Sequence, residues 1–115
     1  MKIFVDMDGT CFYRQGARPH LRESIEEMKK AGCEVIFWTG GNIAHYKELL
    51  DGIFPEGVTV VEKESGKLPD EKHIIIDDFS LVAPKNQHTI LVEVASYSGE
   101  DADCGLASST VSVHP

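Results

Sequence analysis

Short apolar runs recur along this chain, and a polar or acidic group closes most of them. Ile3-Phe4-Val5 runs into Asp6 and Asp8, Val35-Ile36-Phe37-Trp38 into Thr39, and His73-Ile74-Ile75-Ile76 into Asp77-Asp78. Val58-Thr59-Val60-Val61 opens onto a polar stretch from Glu62 to Lys72, which reads as a loop with room for one helical turn, and Thr89-Ile90-Leu91-Val92 is a fifth, weaker run. Runs this short and this continuously apolar suit strands buried on both faces. Between the first two, residues 20–31 (HLRESIEEMKKA) place Leu21, Ile25 and Met28 at helical spacing, with Gly32 as a C-cap. Between the second and third, Ile43, Tyr46, Leu49 and Leu50 predict a helix stopping near Gly52. Strands alternating with helices predict an α/β fold with a mainly parallel sheet of about five strands, covered on both faces.

In such sheets ligands bind beyond the carboxyl ends of the strands. Asp6, Asp8, Thr39, Asp77 and Asp78 all stand at strand C-termini, so they are expected on one rim. Four carboxylates gathered there repel one another unless a cation compensates. Hard carboxylate oxygens beside a backbone carbonyl suit Mg²⁺. Thr39, with the amides of Gly40 and Gly41 at a strand-to-helix junction, offers donors to an oxyanion. A lysine nearby would complete the neutralisation of a phosphoryl group. The plainer alternative is that the first strand simply ends and both aspartates reach water.

The 115 residues support one domain, 1–115, with a Ser-, Gly- and Ala-rich tail from Val94 to Pro115. That tail either forms a last strand near Thr110-Val111-Ser112-Val113 or stays partly unfolded. A net charge of −8 argues against general nucleic-acid affinity, although Arg14, Arg18 and Arg22 leave room for a local basic patch. No apolar run is long enough to span a bilayer and no signal-peptide pattern opens the chain, so a cytoplasmic location and no membrane partner are expected. Cys11, Cys33 and Cys104 have neither disulfide-framework nor zinc spacing and read as free thiols.

The ordered set DMDGT (6–10), WTGG (38–41), a loop lysine and HIIIDD (73–78) resembles the four motifs of haloacid dehalogenase (HAD)-superfamily phosphohydrolases, across about two thirds of the chain. The resemblance implies a three-layer, Rossmann-like fold and a Mg²⁺-dependent phosphatase. Asp6 would be the nucleophile that forms an aspartyl-phosphate and ligates the metal. Asp8 would be the acid and base, with its backbone carbonyl on the metal. Thr39 and Lys67 would contact the phosphoryl group, Asp78 would be a metal ligand, and Asp77 would orient the lysine. Lys67, before Leu68-Pro69, matches the family's spacing best; Lys63 is the fallback, and Lys72 reads as a solvated flank.

Only about ten residues, CFYRQGARPH, separate Asp8 from the first helix, too few for a cap domain. A lidless site implies a large or exposed phosphorylated substrate, or specificity from a neighbouring subunit; the oligomeric state stays open. Arg18-Pro19-His20-Leu21, EVIFWTGG and Tyr46 resemble the capless branch that includes the RNA polymerase C-terminal-domain phosphatases. Polynucleotide 3′-phosphatase and small-metabolite phosphatase are the alternatives, with Tyr13, Arg14 and Arg18 serving substrate in the flap. A receiver-like phosphoacceptor module is the non-enzyme alternative, but it normally has its acidic pair first, the reverse of the order here. Trp38 reads as core, and the five histidines as surface or structural residues.

Overall fold

The computed structural model describes residues 1–63, 68–79, 81, 83–99 and 105–114. Its elements follow in the order β1 (Lys2–Asp6), β2 (Phe12–Tyr13), β3 (Gly16–Ala17), α1 (Leu21–Lys30), β4 (Glu34–Thr39), α2 (Ile43–Ile53), β5 (Thr59–Glu62), β6 (His73–Asp77), β7 (Thr89–Val94) and β8 (Thr110–His114). Six strands form one sheet ordered β5-β4-β1-β6-β7-β8, parallel throughout except between β7 and β8. The protein is therefore α/β with a mainly parallel sheet. The last strand, left open by the sequence, is β8. The stretch between Asp8 and α1 folds as a two-stranded hairpin, β2–β3, turning through Arg14 at φ 56°.

Parallel strands joined by right-handed crossovers fix where the helices lie. The chain moves from β1 through α1 to β4, then through α2 to β5, always in one direction across the sheet. Both helices consequently share one face. Leu21, Ile25, Leu50 and Phe54 pack there against Ile3, Val5, Val35 and Phe37. Ile25 is fully buried, so Ile25→Ala removes packing worth about 2–5 kcal/mol. Lys29 and Lys30 lie in the last turn of α1, favourably placed toward its negative end. Gly32, at φ 89°, terminates that helix by donating its N–H to Lys29, as the sequence predicted.

The opposite face carries Phe4, Ile36, Trp38, Ile75 and Leu91, with Ala83 and Leu68 from connecting segments. Among the described residues the segments bearing Leu68 and Ala83, and no α-helix, pack on this face. Pro69 and Pro84 stand in the connections into β6 and β7, where each removes a backbone donor. Trp38 is fully buried, its ring 4.9 Å from that of Phe4, and belongs to this core. His73 is buried too: Nδ1 is 2.8 Å from the Glu71 carbonyl and Nε2 is 2.8 Å from Thr89 Oγ1, a structural role. No helix among the described residues is long and apolar enough to cross a membrane.

Candidate functional site

Because β1 lies between β4 and β6, Asp6, Thr39 and Asp77 end three adjacent parallel strands on one rim. The chain leaves β1 toward β4 and later returns on the other side as β6, so strand order reverses at this rim. A cavity of about 490 Å³ opens there, with Asp6, Asp8, Thr39, Lys63, Asp77 and Asp78 among its lining residues. A second cavity, of about 430 Å³, lies between α1 and the β6–β8 half of the sheet. It is mainly apolar and holds none of the rim carboxylates.

Asp6 is 7% exposed and held at both oxygens. Lys63 Nζ lies 2.7 Å from Oδ1, and Thr10 Oγ1 lies 3.1 Å from Oδ2. The same ammonium reaches Asp77 Oδ2 at 3.3 Å, while Asp77 Oδ1 accepts the Phe79 N–H at 2.9 Å. Asp78 accepts the Ser96 hydroxyl at 2.7 Å on Oδ2, and its Oδ1 lies 3.1 Å from Thr10 Oγ1. Gly9 makes this arrangement possible. Its φ is +79°, and a Cβ there would stand 2.3 Å from Asp78 Oδ2. The glycine of DMDGT thus lets the loop after β1 approach the end of β6.

Carboxylate oxygens of Asp6, Asp77 and Asp78 lie within 4.8 Å of one another, a donor set that could hold a hard cation. Asp8 is exposed at the cavity and its carboxylate is not part of that trio. Asp77, placed as a supporting acid in the sequence, is the third member. Burial, and then the neighbouring charge of Asp77, push the Asp6 carboxyl up to about 7, although Lys63 opposes the rise. Burial raises Asp77 in the same direction. Lys63 is pulled down by burial, but the Asp6 and Asp77 charges outweigh that and leave it above its ordinary value. The cluster therefore carries more negative charge than one ammonium balances.

Thr39 is buried, and its Oγ1 accepts the Gly41 N–H at 2.9 Å, which leaves the hydroxyl proton for another acceptor. Asn42 caps α2 through the His45 N–H at 3.2 Å, fixing the junction behind Thr39. Lys67 lies outside the described residues, as does Cys104. Among the described residues it is Lys63, ranked second in the sequence, that enters the cluster, while Lys72 is exposed. The rim rule applied to β5 points to Lys63, because it follows that strand immediately.

Of the two flap arginines Arg14 is exposed, and Arg18 is not available to a substrate. Arg18 is 1% exposed, donates to the Ala95 carbonyl and lies 5.7 Å from the Tyr97 ring centre, so it braces the segment after β7. Arg22 pairs with Glu26 and Glu56 at 2.9 and 3.1 Å. No open patch of Arg14, Arg18 and Arg22 forms. Cys11 is buried, and burial with the Asp6 charge pushes its thiol well up, which makes it unreactive.

Thr10, Ser96 and Phe79 went unassigned in the sequence. Thr10 lies inside the first motif, and its β-hydroxyl four residues after Asp6 was a readable signal. Ser96 had none, because it is brought in by the Tyr97 N–H bonding the Gly9 carbonyl at 2.7 Å. Comparison with known protein families, curated proteins and solved structures finds no match for this chain.

Proposed function

We propose that the protein is a Mg²⁺-dependent phosphomonoester hydrolase with HAD-like layout, working through an aspartyl-phosphate on Asp6. One observation carries this reading: Lys63 bridges Asp6 and Asp77 while Thr10 joins Asp6 to Asp78, at the carboxyl ends of parallel strands. A buried carboxylate held at both oxygens beside one ammonium is a fixed nucleophile in a field that favours a bound cation. The three-aspartate donor set fits Mg²⁺ chemically. Asp6 and Asp78 would hold it, and Asp77 stays committed to Lys63 and the Phe79 amide. When bound, Mg²⁺ supplies neutralisation of the carboxylates and of the phosphoryl oxygens.

The chain's own residues then divide the work. An Asp6 oxygen attacks phosphorus as the ester P–O bond breaks, and Asp8 gives its proton to the departing oxygen. In the second half Asp8 takes a proton from water, whose oxygen attacks the same phosphorus, releasing phosphate and the Asp6 carboxylate. Lys63 and the Thr39 hydroxyl bind the phosphoryl oxygens. Asp8 stands exposed at the cavity, where a leaving group and water both reach it. A phosphoacceptor module needs no second acid in that place, which favours hydrolysis.

The test is turnover of p-nitrophenyl phosphate by purified protein in EDTA and after Mg²⁺ is restored. Activity only with Mg²⁺ supports the reading, and equal turnover in chelator removes the metal from it.

A further inference from the structure

Burial divides the cavity into a charged floor and an aromatic mouth. Asp6, Thr39 and Asp77 are 7%, 3% and 2% exposed and form the floor. Phe79 lines the same cavity and is 54% exposed, so its ring stands open to solvent at the mouth. Its backbone is pinned, because its N–H donates to Asp77 Oδ1 at 2.9 Å. Tyr46 lines the cavity from α2, its ring 6.1 Å from that of Phe12. A Cβ on Gly41 would lie 3.7 Å from Tyr46 Cε2, so the tyrosine also stands against the Thr39 turn. Tyr46 follows β4 and Phe79 follows β6, and β1, carrying Asp6, runs between those strands.

A phosphoryl group seated on the floor projects its leaving group outward past these two rings. Charge narrows what that group is. Among the described lining residues Lys63 is the one cation, and it is already shared by Asp6 and Asp77. Asp8 and Asp78 place further acidic side chains on the same cavity. A leaving group carrying further phosphates meets repulsion here, whereas an uncharged ring meets two aromatic partners. Resting on the phosphatase reading above, we propose that Phe79 and Tyr46 form a leaving-group subsite for aryl phosphomonoesters that bear no second phosphate.

Aryl esters are intrinsically more labile than alkyl esters, so rates alone do not isolate a subsite. Binding of non-hydrolysable phosphonates does. Calorimetry with benzylphosphonate and methylphosphonate in saturating Mg²⁺ compares wild type, Phe79→Ala and Phe79→Tyr. Wild type is expected to bind benzylphosphonate about three- to tenfold more tightly than methylphosphonate, the range one aromatic contact supplies. Phe79→Ala should lose most of that preference while keeping its methylphosphonate affinity, which also reports an intact floor. Phe79→Tyr should keep the preference. An undiminished preference in Phe79→Ala, or none in wild type, overturns the subsite alone. Binding of neither phosphonate by wild type overturns the phosphatase reading and the subsite with it.

Discussion

The hydroxyl of Thr10 accepts the backbone N–H of Asp78 at 3.0 Å and lies 3.1 Å from the same residue's Oδ1. One fully buried side chain thus ties the loop after β1 to the end of β6, while also facing Asp6. Thr10→Val keeps the shape and leaves a buried N–H without its acceptor. It should lower stability by about 1–3 kcal/mol and weaken Mg²⁺ binding. Thr10→Ser should recover most of both. Urea melts and Mg²⁺ titrations on the two variants check this, and a Thr10→Val protein as stable as wild type would contradict it.

Gly9→Ala should act through two routes at once. The backbone at φ +79° disfavours any side chain by about 1 kcal/mol or more, and the new Cβ collides with Asp78 Oδ2. The expected result is a modest fall in melting temperature with a disproportionate loss of the Mg²⁺-induced rise. Gly32→Ala provides the control. It shares the positive φ but has nothing within 4 Å of its Cβ, so it should keep the Mg²⁺ response.

Much of this arrangement was legible before any coordinates. Apolar runs ending in Asp6, Thr39 and Asp77 imply a parallel sheet, and parallel strands deliver their ends to one rim. The helices at Leu21–Lys30 and Ile43–Ile53 were readable from their periodicity, within a residue or two at each end. Less legible was what covers the second face, because periodicity marks helices and says nothing of loops such as those bearing Leu68 and Ala83. The choice among lysines was obscure for a related reason. Motif spacing favoured Lys67, whereas the strand pairing Thr39↔Glu62 carries the next residue, Lys63, to the rim. Arg18 looked like a substrate-facing cation, since its partner, the Ala95 carbonyl, lies far away in sequence.

The lysines give a ranking. Lys63→Ala removes the ammonium beside both Asp6 and Asp77 and should cost at least tenfold in kcat/KM, the order expected for loss of a charged phosphoryl contact. Lys72→Ala should leave kcat/KM near wild type, because that side chain is exposed away from the cluster. Lys67→Ala placed above Lys63→Ala in damage would return the motif role to Lys67.

The pH dependence of stability has a definite sign. In the folded, metal-free protein Asp6 keeps its proton up to about pH 7, whereas its ordinary value is 3.8. Between those values the native state holds the extra proton, so stability falls as pH rises from about 4 to 7. Asp77, also raised, adds to the same slope. Asp6→Asn should flatten the slope. Mg²⁺ favours the ionised carboxylates and the folded site, so its stabilising effect should be larger at pH 8 than at pH 5. Melts at constant ionic strength across that range measure both effects. A metal-free protein that gains stability from pH 4 to 7 relative to Asp6→Asn would contradict the assignment.

Asp6 as the attacking group is the centre of the account, and the direct measurement is the covalent intermediate itself. Protein mixed with an aryl phosphate and Mg²⁺, quenched in acid and digested, is examined by mass spectrometry for a phosphoryl adduct. The account predicts an alkali-labile adduct on the peptide containing Asp6, dependent on Mg²⁺ and absent in Asp6→Asn. Turnover with no adduct on that peptide, or unchanged turnover by Asp6→Asn, would contradict it.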